Sequence, residues 1–390
     1  MLTSFCVSKG SRLMCNMDAS RQLLRLLCRP ATTVSSRHFH FCASSRTSKN
    51  TSYQRAAHGP SSNDVQTAKC NYVERIITVN TCKYLYHAWR SRYGYRNAPS
   101  EGLDVPIKYM YTALDRTEQS DQTKRPLVLL LSGAPGSYMD FSHAISFFLR
   151  NGVDVAALTW PDTAFSRKTN CWWHSSHEKT QLVLDFLKAI NIQKLDMIVS
   201  HSSSSYVSLR LVTSPELIEV KSIALLNPAT HLRPRCVKPM WAVFGCGRLF
   251  QNPSTRELAC FLLRVVSMVE RSVKSNIDDT FQSIHSMMLA DVNQCRRDLE
   301  VLSEMSIPML VTVSDNDKLM DYSQSVEMLK VLGKTEDHFW YYGAKEELLQ
   351  RGSDDGVKVL RFMNGSHYSF SRHHGITNKA MLDVLGKTMG

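Results

Sequence analysis

The sequence has no long apolar run, few glycines and prolines, and no closely spaced cysteine pair. Without about 18 consecutive apolar residues, a membrane-spanning helix is not expected. The 17 glycines and 13 prolines among 390 residues are too few for a fibrous or low-complexity chain. The 11 cysteines form no C-x-x-C pair, which argues against a zinc site and a disulfide framework and favours reduced intracellular thiols. We expect no metal and no other cofactor.

Acidic residues are nearly absent from the first 63 positions, which contain nine lysines and arginines and one acid, Asp18. Most of the formal net charge of +12 therefore belongs to this segment and says little about nucleic acid. Arg21, Arg25 and Arg29 share one face of a predicted helix, leucines occupy the other, and Pro30 ends it. An amphipathic, arginine-rich, serine-rich and acid-poor leader is typical of a mitochondrial transit peptide.

The charge distribution predicts two parts. Residues 1–64 form the transit peptide, and residues 65–390 form the mature domain in the mitochondrial matrix. The alternative is a disordered basic leader on a cytoplasmic protein.

A basic and aromatic segment, Lys83–Arg96, is a candidate for nucleic-acid binding. Bases stack on aromatic side chains that lie beside positive charge. The same mixture is typical of a strand or helix surface whose basic side chains reach solvent. Since no RRM, KH or OB motif accompanies the segment, we predict no nucleic-acid partner.

From residue 126 onwards, short β-branched runs alternate with helical patterns. Fully apolar strands that alternate with helices form parallel sheets covered on both faces, so the chain is predicted to be α/β, with a doubly wound, mostly parallel sheet. In such sheets, sites form at the carboxyl ends of the strands. The predicted strands, including two that precede residue 126, are Glu74–Thr81, Ile107–Leu114, Pro126–Leu131, Val153–Thr159, Leu195–Ser200, Ser222–Asn227, Pro308–Ser314 and Val357–Met363.

The interval Pro228–Ile307 interrupts this alternation. It contains helical patterns over Thr255–Lys274 and Asp278–Met305. Because it lies between two predicted sheet strands, we expect residues 228–307 to form a helical cap over the strand ends.

A serine, an acid and a histidine follow three of the predicted strands in that order. Ser202 is the centre of Ser200–Ser204, a strand-to-helix junction with the layout of the nucleophile elbow G-x-S-x-G. Asp317 and His367 each stand a few residues beyond a later strand. A serine hydroxyl becomes a nucleophile when a histidine takes its proton, and a carboxylate orients that histidine. The order predicts a catalytic triad of these three residues.

The turn Ser132–Ser137 follows the first strand of the alternating region and is rich in glycine and proline. Such a turn can aim a backbone N–H at an oxyanion, so we predict an oxyanion hole formed by the N–H groups of Ala134 and Ser203. Two alternatives stay open. Asp315 could be the acid, and Ser203 could be the nucleophile if the turn is shifted by one residue.

Five motifs resemble those of the α/β-hydrolase superfamily, particularly its capped, epoxide-hydrolase-like branch and a poorly characterised family of hydrolase-like proteins. The resemblance covers roughly residues 70–385 and implies an α/β-hydrolase sheet with a helical cap. The family motifs are H-G-x-P-G-S with D-F, G-H-S-x-G, N-P, G-x-x-D-x-[IL] and a G-H-F-like motif. Their counterparts are Ser132–Ser137 with Asp140 and Phe141, Ser200–Ser204, Asn227 with Pro228, Ser314–Leu319 and Gly365–Tyr368.

Several departures from the family pattern bear on activity. Ser200 and Ser204 stand where the elbow has glycines, Ser132 where the family has histidine, and Pro161–Ser166 lacks the glycines of P-G-x-G-x-S. Ser202 stands where epoxide hydrolases have an aspartate, so their activity is not expected. The sequence therefore favours a serine hydrolase for an ester, thioester or similar acyl compound. The alternative is a catalytically inactive hydrolase fold that binds a ligand or a protein partner.

The expected cap predicts a substrate with apolar surface, such as a small acyl or lipid-like compound. Candidate substrate contacts are Trp172 and Trp173, which follow the strand over 153–159, and Trp241 and Phe244 in the cap. Paired tryptophans also pack protein cores and lids, and this second role stays open for Trp172 and Trp173.

Overall fold

Ten strands form the central sheet of the protein, within the residues that the computed structural model describes: 72–93, 98–115, 125–234, 240–270, 276–353 and 355–388. The predicted transit peptide lies outside these residues. The strands are β1 (Arg75–Thr81), β2 (Leu103–Tyr111), β3 (Leu127–Leu131), β4 (Asp154–Leu158), β5 (Met197–His201), β6 (Ile223–Leu226), β7 (Met309–Ser314), β8 (Phe339–Tyr342), β9 (Leu348–Gln350) and β10 (Val357–Phe362).

The strand order is β1-β2-β4-β3-β5-β6-β7-β10-β8-β9. Pairing is parallel from β4 through to β8 and antiparallel for β1 with β2, β2 with β4, and β8 with β9. All residues of β4, β5, β6 and β7 are buried, as expected for parallel strands covered on both faces. The predicted fold class is confirmed. Each of the eight predicted strands is present, and β8 and β9 are two further strands near one edge.

Helices cover both faces of the sheet. One face packs on α2 and α12 through a cluster that includes Phe148 and Met381. The other face packs on α1, α4, α5, α9 and α10 through a cluster that includes Phe186, Val207 and Met328. The helices are α1 (Lys83–Tyr93), α2 (Ser142–Arg150), α3 (Thr163–Thr169), α4 (Ser176–Ala189), α5 (Ser205–Val212), α6 (Met240–Gln251), α7 (Arg256–Glu270), α8 (Ile277–Met288), α9 (Val292–Glu304), α10 (Tyr322–Val331), α11 (Ser369–Arg372) and α12 (His374–Gly386). None of these helices is both long and apolar enough to cross a membrane.

The basic and aromatic segment forms helix α1, with its aromatic rings divided between two environments. Tyr86 is buried, Trp89 packs at the edge of the core, and Tyr84 is exposed. The Tyr86 hydroxyl donates a hydrogen bond to Glu178. Two of the aromatic residues in the segment, Tyr86 and Trp89, therefore pack against the core.

Within the described residues, four helices lie between β6 and β7. Helices α6, α7 and α8 form a hydrophobic cluster of their own, in which the rings of Phe250 and Phe281 stack with centroids 3.9 Å apart. Helix α9 packs instead against α5 and contributes Leu299 and Leu302 to the sheet core. Helix α8 reaches the sheet domain through α3, where Thr163 donates to the carbonyl oxygen of Asp278 at 2.8 Å. Helices α6, α7 and α8 are called the cap helices.

Phe281→Ala is expected to destabilise the protein by about 3–5 kcal/mol, because it removes a fully buried ring and leaves a cavity. Phe261→Ala is the matched control, since Phe261 is 61% exposed on neighbouring α7. That change should alter the free energy of unfolding by no more than about 0.5 kcal/mol. Urea unfolding measures both values. Equal losses in the two variants would show that the Phe250–Phe281 stack does not hold the cap helices together.

Candidate active site

Ser202 occupies a sharp turn between β5 and α5. Its φ angle is +54°, in the left-handed region that residues with a side chain rarely adopt. Such a conformation costs about 1–2 kcal/mol and persists where the surroundings hold it. Ser203 and Ser204 continue into a single helical turn, and neither has a positive φ. The backbone therefore places Ser202, and not Ser203, at the apex of the elbow.

The two serines that replace the elbow glycines are fully buried and hydrogen-bonded. The Ser200 and Ser208 hydroxyls are 2.7 Å apart and join β5 to α5. The Ser204 hydroxyl donates a short hydrogen bond to the carbonyl oxygen of Ser132. The hydroxyl groups of both serines therefore have hydrogen-bond partners, so the elbow is packed even though it lacks the two glycines.

The loop after β3 lies directly against this elbow. A Cβ at Gly133 would come within 3.0 Å of both Ser202 Cβ and His201 Nδ1, so the loop needs glycine there. The carbonyl oxygen of Ser132 also accepts a hydrogen bond from Trp160 Nε1 at 2.7 Å. Outside helices and strands, no backbone carbonyl of the described residues accepts a hydrogen bond from the N–H of Ala134 or Ser203. This pattern is compatible with the predicted oxyanion hole.

His367 and Asp317 form a buried hydrogen-bonded pair. His367 Nδ1 donates to Asp317 Oδ2 at 2.9 Å, and the backbone N–H groups of Leu319 and Met320 donate to Asp317 Oδ1 at 2.8 and 2.9 Å. Burial acts to raise the pKa of Asp317, but these hydrogen bonds outweigh it and hold the pKa below its usual value. Since Nδ1 carries the proton, the Nε2 atom of a neutral His367 is free to accept one.

Asp315, the alternative acid, is bound elsewhere. Arg361 Nε donates to its Oδ1 at 2.7 Å, and the Tyr341 hydroxyl donates to its Oδ2 at 3.0 Å. The two carboxylates thus occupy different environments, and only Asp317 contacts the histidine ring.

Asn227, at the end of β6, connects the loops that carry the acid and the histidine. Its Nδ2 donates to Asp317 Oδ2 at 3.1 Å and to the carbonyl oxygen of Ser366 at 3.2 Å. Its Oδ1 accepts hydrogen bonds from the hydroxyls of Thr312 and Ser369. Asn227 has a φ of +42°, which asparagine tolerates better than most residues. The Asn-Pro motif was visible in the sequence, but its position beside Asp317 was not.

The ring of His201 contacts the loop that carries His367. Its Nε2 lies 2.9 Å from the carbonyl oxygen of His367, and because a carbonyl only accepts, Nε2 carries the proton. The ring also lies between those of His367 and Phe370, at centroid distances of 4.7 and 4.9 Å. Burial, aided by the charge of nearby His367, lowers the pKa of His201 to about 3, so it remains neutral at physiological pH.

No hydrogen bond joins the Ser202 hydroxyl to His367 in the part of the chain that the structure describes. Catalytic hydrogen bonds are often absent or long before substrate binds. The described residues also contain no group of three or more histidine, cysteine, aspartate or glutamate side chains that could hold a metal ion. Ser202, Asp317 and His367 thus follow β5, β7 and β10 of one sheet, in which β6 lies between β5 and β7.

Residues 97–368 match the model of a family described as alpha/beta hydrolase of unknown function (DUF1057). The chain belongs to this α/β-hydrolase family. No curated protein has a significant sequence match to it.

Solved structures that resemble this α/β-hydrolase include three bacterial enzymes. A loop variant of a haloalkane dehalogenase from Bradyrhizobium elkanii has 12% identity and a TM-score of 0.49, over 81% of this chain and 98% of the other. The enol-lactonase from Burkholderia xenovorans has 14% identity and a TM-score of 0.46, over 72% and 96%. An esterase from Exiguobacterium antarcticum has 10% identity and a TM-score of 0.45, over 72% and 96%.

The four predicted substrate contacts of this α/β-hydrolase are dispersed. Trp172 is fully buried in the core of the sheet domain, and Trp173 packs among the cap helices against His285. Trp241 is 80% exposed, and Phe244 packs beneath the guanidinium group of Arg233. The two paired tryptophans thus pack within the protein, which is the alternative that the sequence left open.

Asn227→Ala is expected to destabilise the protein, because it strips hydrogen bonds from buried Thr312, Ser369 and Asp317. Each buried group left without a partner costs about 1–3 kcal/mol. Asn191→Ala is the control, since Asn191 has a similar φ of +57° but an exposed side chain. The free energy of unfolding should fall further for Asn227→Ala than for Asn191→Ala. Equal losses would assign the whole effect to the backbone conformation.

Proposed function

We propose that this α/β-hydrolase is a serine hydrolase that cleaves an ester, a thioester or a similar acyl compound. The observation that supports the proposal is the combination of Ser202 at the strained apex of the elbow with the hydrogen-bonded pair Asp317–His367. Each group follows a different strand of one parallel sheet, in the chain order of hydrolase triads.

In the proposed mechanism, Ser202 Oγ attacks the acyl carbonyl carbon while its proton moves to His367 Nε2. Asp317 holds His367 Nδ1–H and stabilises the imidazolium that forms. The N–H groups of Ala134 and Ser203 bind the oxyanion of the tetrahedral intermediate. When the intermediate collapses, His367 returns the proton to the leaving group, and the acyl group stays on Ser202. Water, deprotonated by His367, then releases the acid and restores the serine.

The second candidate is a hydrolase fold without activity that binds a ligand or a protein partner. The observation that favours it is the elbow itself, in which serines replace both glycines and the Ser202 hydroxyl is not bonded to His367. Only the enzyme needs an activated serine, so covalent labelling separates the two candidates.

A fluorophosphonate probe is expected to label the purified protein at Ser202. Labelling should disappear in Ser202→Ala. The labelling rate should fall by about 10³-fold or more in His367→Ala, because the serine loses its general base, and in Asp317→Asn, because the histidine loses the group that orients it. In-gel fluorescence measures the labelling rate, and mass spectrometry of the modified peptide identifies the labelled residue.

Two matched variants test the assignment of roles. Ser203→Ala and Asp315→Asn should keep labelling, because neither side chain contacts the histidine. Circular dichroism establishes that each variant folds. A folded wild-type protein that reacts with no probe would contradict the hydrolase proposal and support the binding protein.

We also propose that residues 1–64 direct this protein to the mitochondrial matrix. The support is the excess of nine basic residues over a single acid in positions 1–63, with Arg21, Arg25 and Arg29 on one face of a predicted helix. A fluorescent reporter carrying residues 1–64 should enter mitochondria, and replacing these three arginines with glutamate should abolish entry. A reporter that stays in the cytosol would contradict the proposal.

A further inference from the structure

A lysine is buried where cap helix α8 meets the sheet domain. Lys179, in the first turn of α4, is 1% exposed. Its ammonium donates a hydrogen bond to Ser286 Oγ on α8 at 3.0 Å and lies 5.1 Å from the ring centroid of Trp160. No described residue forms an ion pair with it. Burying an ammonium without an opposite charge is expensive, so this position calls for an explanation.

The neighbouring carboxylate does not provide that partner. Glu178 accepts hydrogen bonds from the Tyr86 hydroxyl, from the backbone N–H of Trp173 and from the N–H and hydroxyl of Ser175. No hydrogen bond or ion pair within the described residues joins Glu178 to the Lys179 ammonium. Burial lowers the pKa of Lys179 to about 7, although the charge of Glu178 acts in the opposite direction.

Two polar side chains that precede α4 in the chain also have ring nitrogens without a partner among the described residues. Both ring nitrogens of His174 are buried without a hydrogen bond, and so is the indole N–H of Trp172. The two rings are in edge contact, with centroids 6.0 Å apart. Burial and then the charge of Lys179 hold the pKa of His174 well below its usual value, so His174 is neutral and has one N–H to donate. Among the described residues, the cluster thus has N–H donors without partners, and the unprotonated ring nitrogen of His174 is an acceptor that also has no partner.

These donors lie next to the catalytic loop. Trp160, over which the ammonium of Lys179 sits, donates its indole N–H to the carbonyl oxygen of Ser132. That same oxygen accepts the hydroxyl of Ser204 from the elbow. A single side chain therefore separates the cationic cluster from the loop that carries the Ala134 N–H.

We infer that Lys179 and His174 form a subsite for a carboxylate group of the substrate, so that the acyl compounds hydrolysed are anionic. A carboxylate brings several acceptor sites and a negative charge, which is what a buried ammonium and a neighbouring N–H donor lack. The inference rests on the proposed serine hydrolase for its substrate class, but the subsite itself is a binding site that can be tested without turnover.

The kinetic test compares two esters of similar size. Mono-p-nitrophenyl succinate carries a terminal carboxylate, and p-nitrophenyl butyrate is its neutral counterpart. We expect the wild-type protein to prefer the anionic ester. In Lys179→Met, the ratio of kcat/KM for the anionic over the neutral ester should fall by about 10- to 100-fold, as expected for a lost charge-assisted hydrogen bond. Lys188→Met, on the exposed side of the same helix, should leave the ratio unchanged.

The ratio separates recognition from a structural role. If Lys179 only ties α8 to α4, its replacement would slow both esters equally, and so would Ser286→Ala, which removes the same bond. An unchanged ratio in Lys179→Met overturns the inference. Should Lys179→Met fail to fold, His174→Phe keeps the ring contact with Trp172 and removes the donor, and the ratio should fall in this variant also.

A binding measurement distinguishes this inference from the proposed function. Calorimetric titration of the Ser202→Ala protein with monomethyl succinate should show binding that Lys179→Met weakens by at least about 10-fold, whereas neutral dimethyl succinate should be insensitive to the change. Such binding without hydrolysis of either ester would support the subsite and contradict the hydrolase. Hydrolysis of the neutral ester without Lys179-dependent binding of monomethyl succinate would do the reverse.

Discussion

The parallel register of the central strands is the constraint on which the rest of this protein depends. Leu131 pairs with Ser200, Ser200 with Leu225, Leu226 with Thr312, and Phe362 with Ser314, so five strands end along one edge of the sheet. Because each strand is buried on both faces, a shift by one residue would exchange the side chains that meet the two helical layers. The same pairing that buries the core therefore brings the elbow, the acid and the histidine loop together.

Polar groups at this edge are supported by other buried polar groups. Asn227 bonds the acid loop to the histidine loop, and neutral His201 supports the backbone of His367. These hydrogen bonds hold the acid loop and the histidine loop in one arrangement, whereas His201 Nδ1 and the hydroxyls of Ser132 and Ser203 have no partner within the described residues. The elbow is also held by buried hydrogen bonds, since Ser200 and Ser204 occupy positions of tight packing and each hydroxyl has a partner. The strain at Ser202 is held by these bonds and by the strand and helix on either side.

The cluster at the start of α4 combines a buried lysine with three ring nitrogens of His174 and Trp172 that have no partner within the described residues. Lys179 and His174 are as deeply buried as Asn227, yet the ammonium has one hydrogen bond and the imidazole has none. Buried polar atoms without a partner are uncommon in native proteins, and each needs a physical explanation. Their position between the cap helices and the loop after β3 links this unsatisfied charge to the site where the chemistry is proposed.

Hydrophobic periodicity and motif spacing along the chain predicted the sheet and the order of the candidate site residues, because both patterns are local to the sequence. These patterns missed β8, four aromatic residues, and β9, an exposed strand of three, because segments so short show no periodicity. The structure shows that Asp317 and not Asp315 contacts His367, that Trp172 packs in the core, and that Lys179 has no counter-ion among the described residues. These outcomes depend on distances between residues far apart in sequence, and no local pattern of residues encodes such distances.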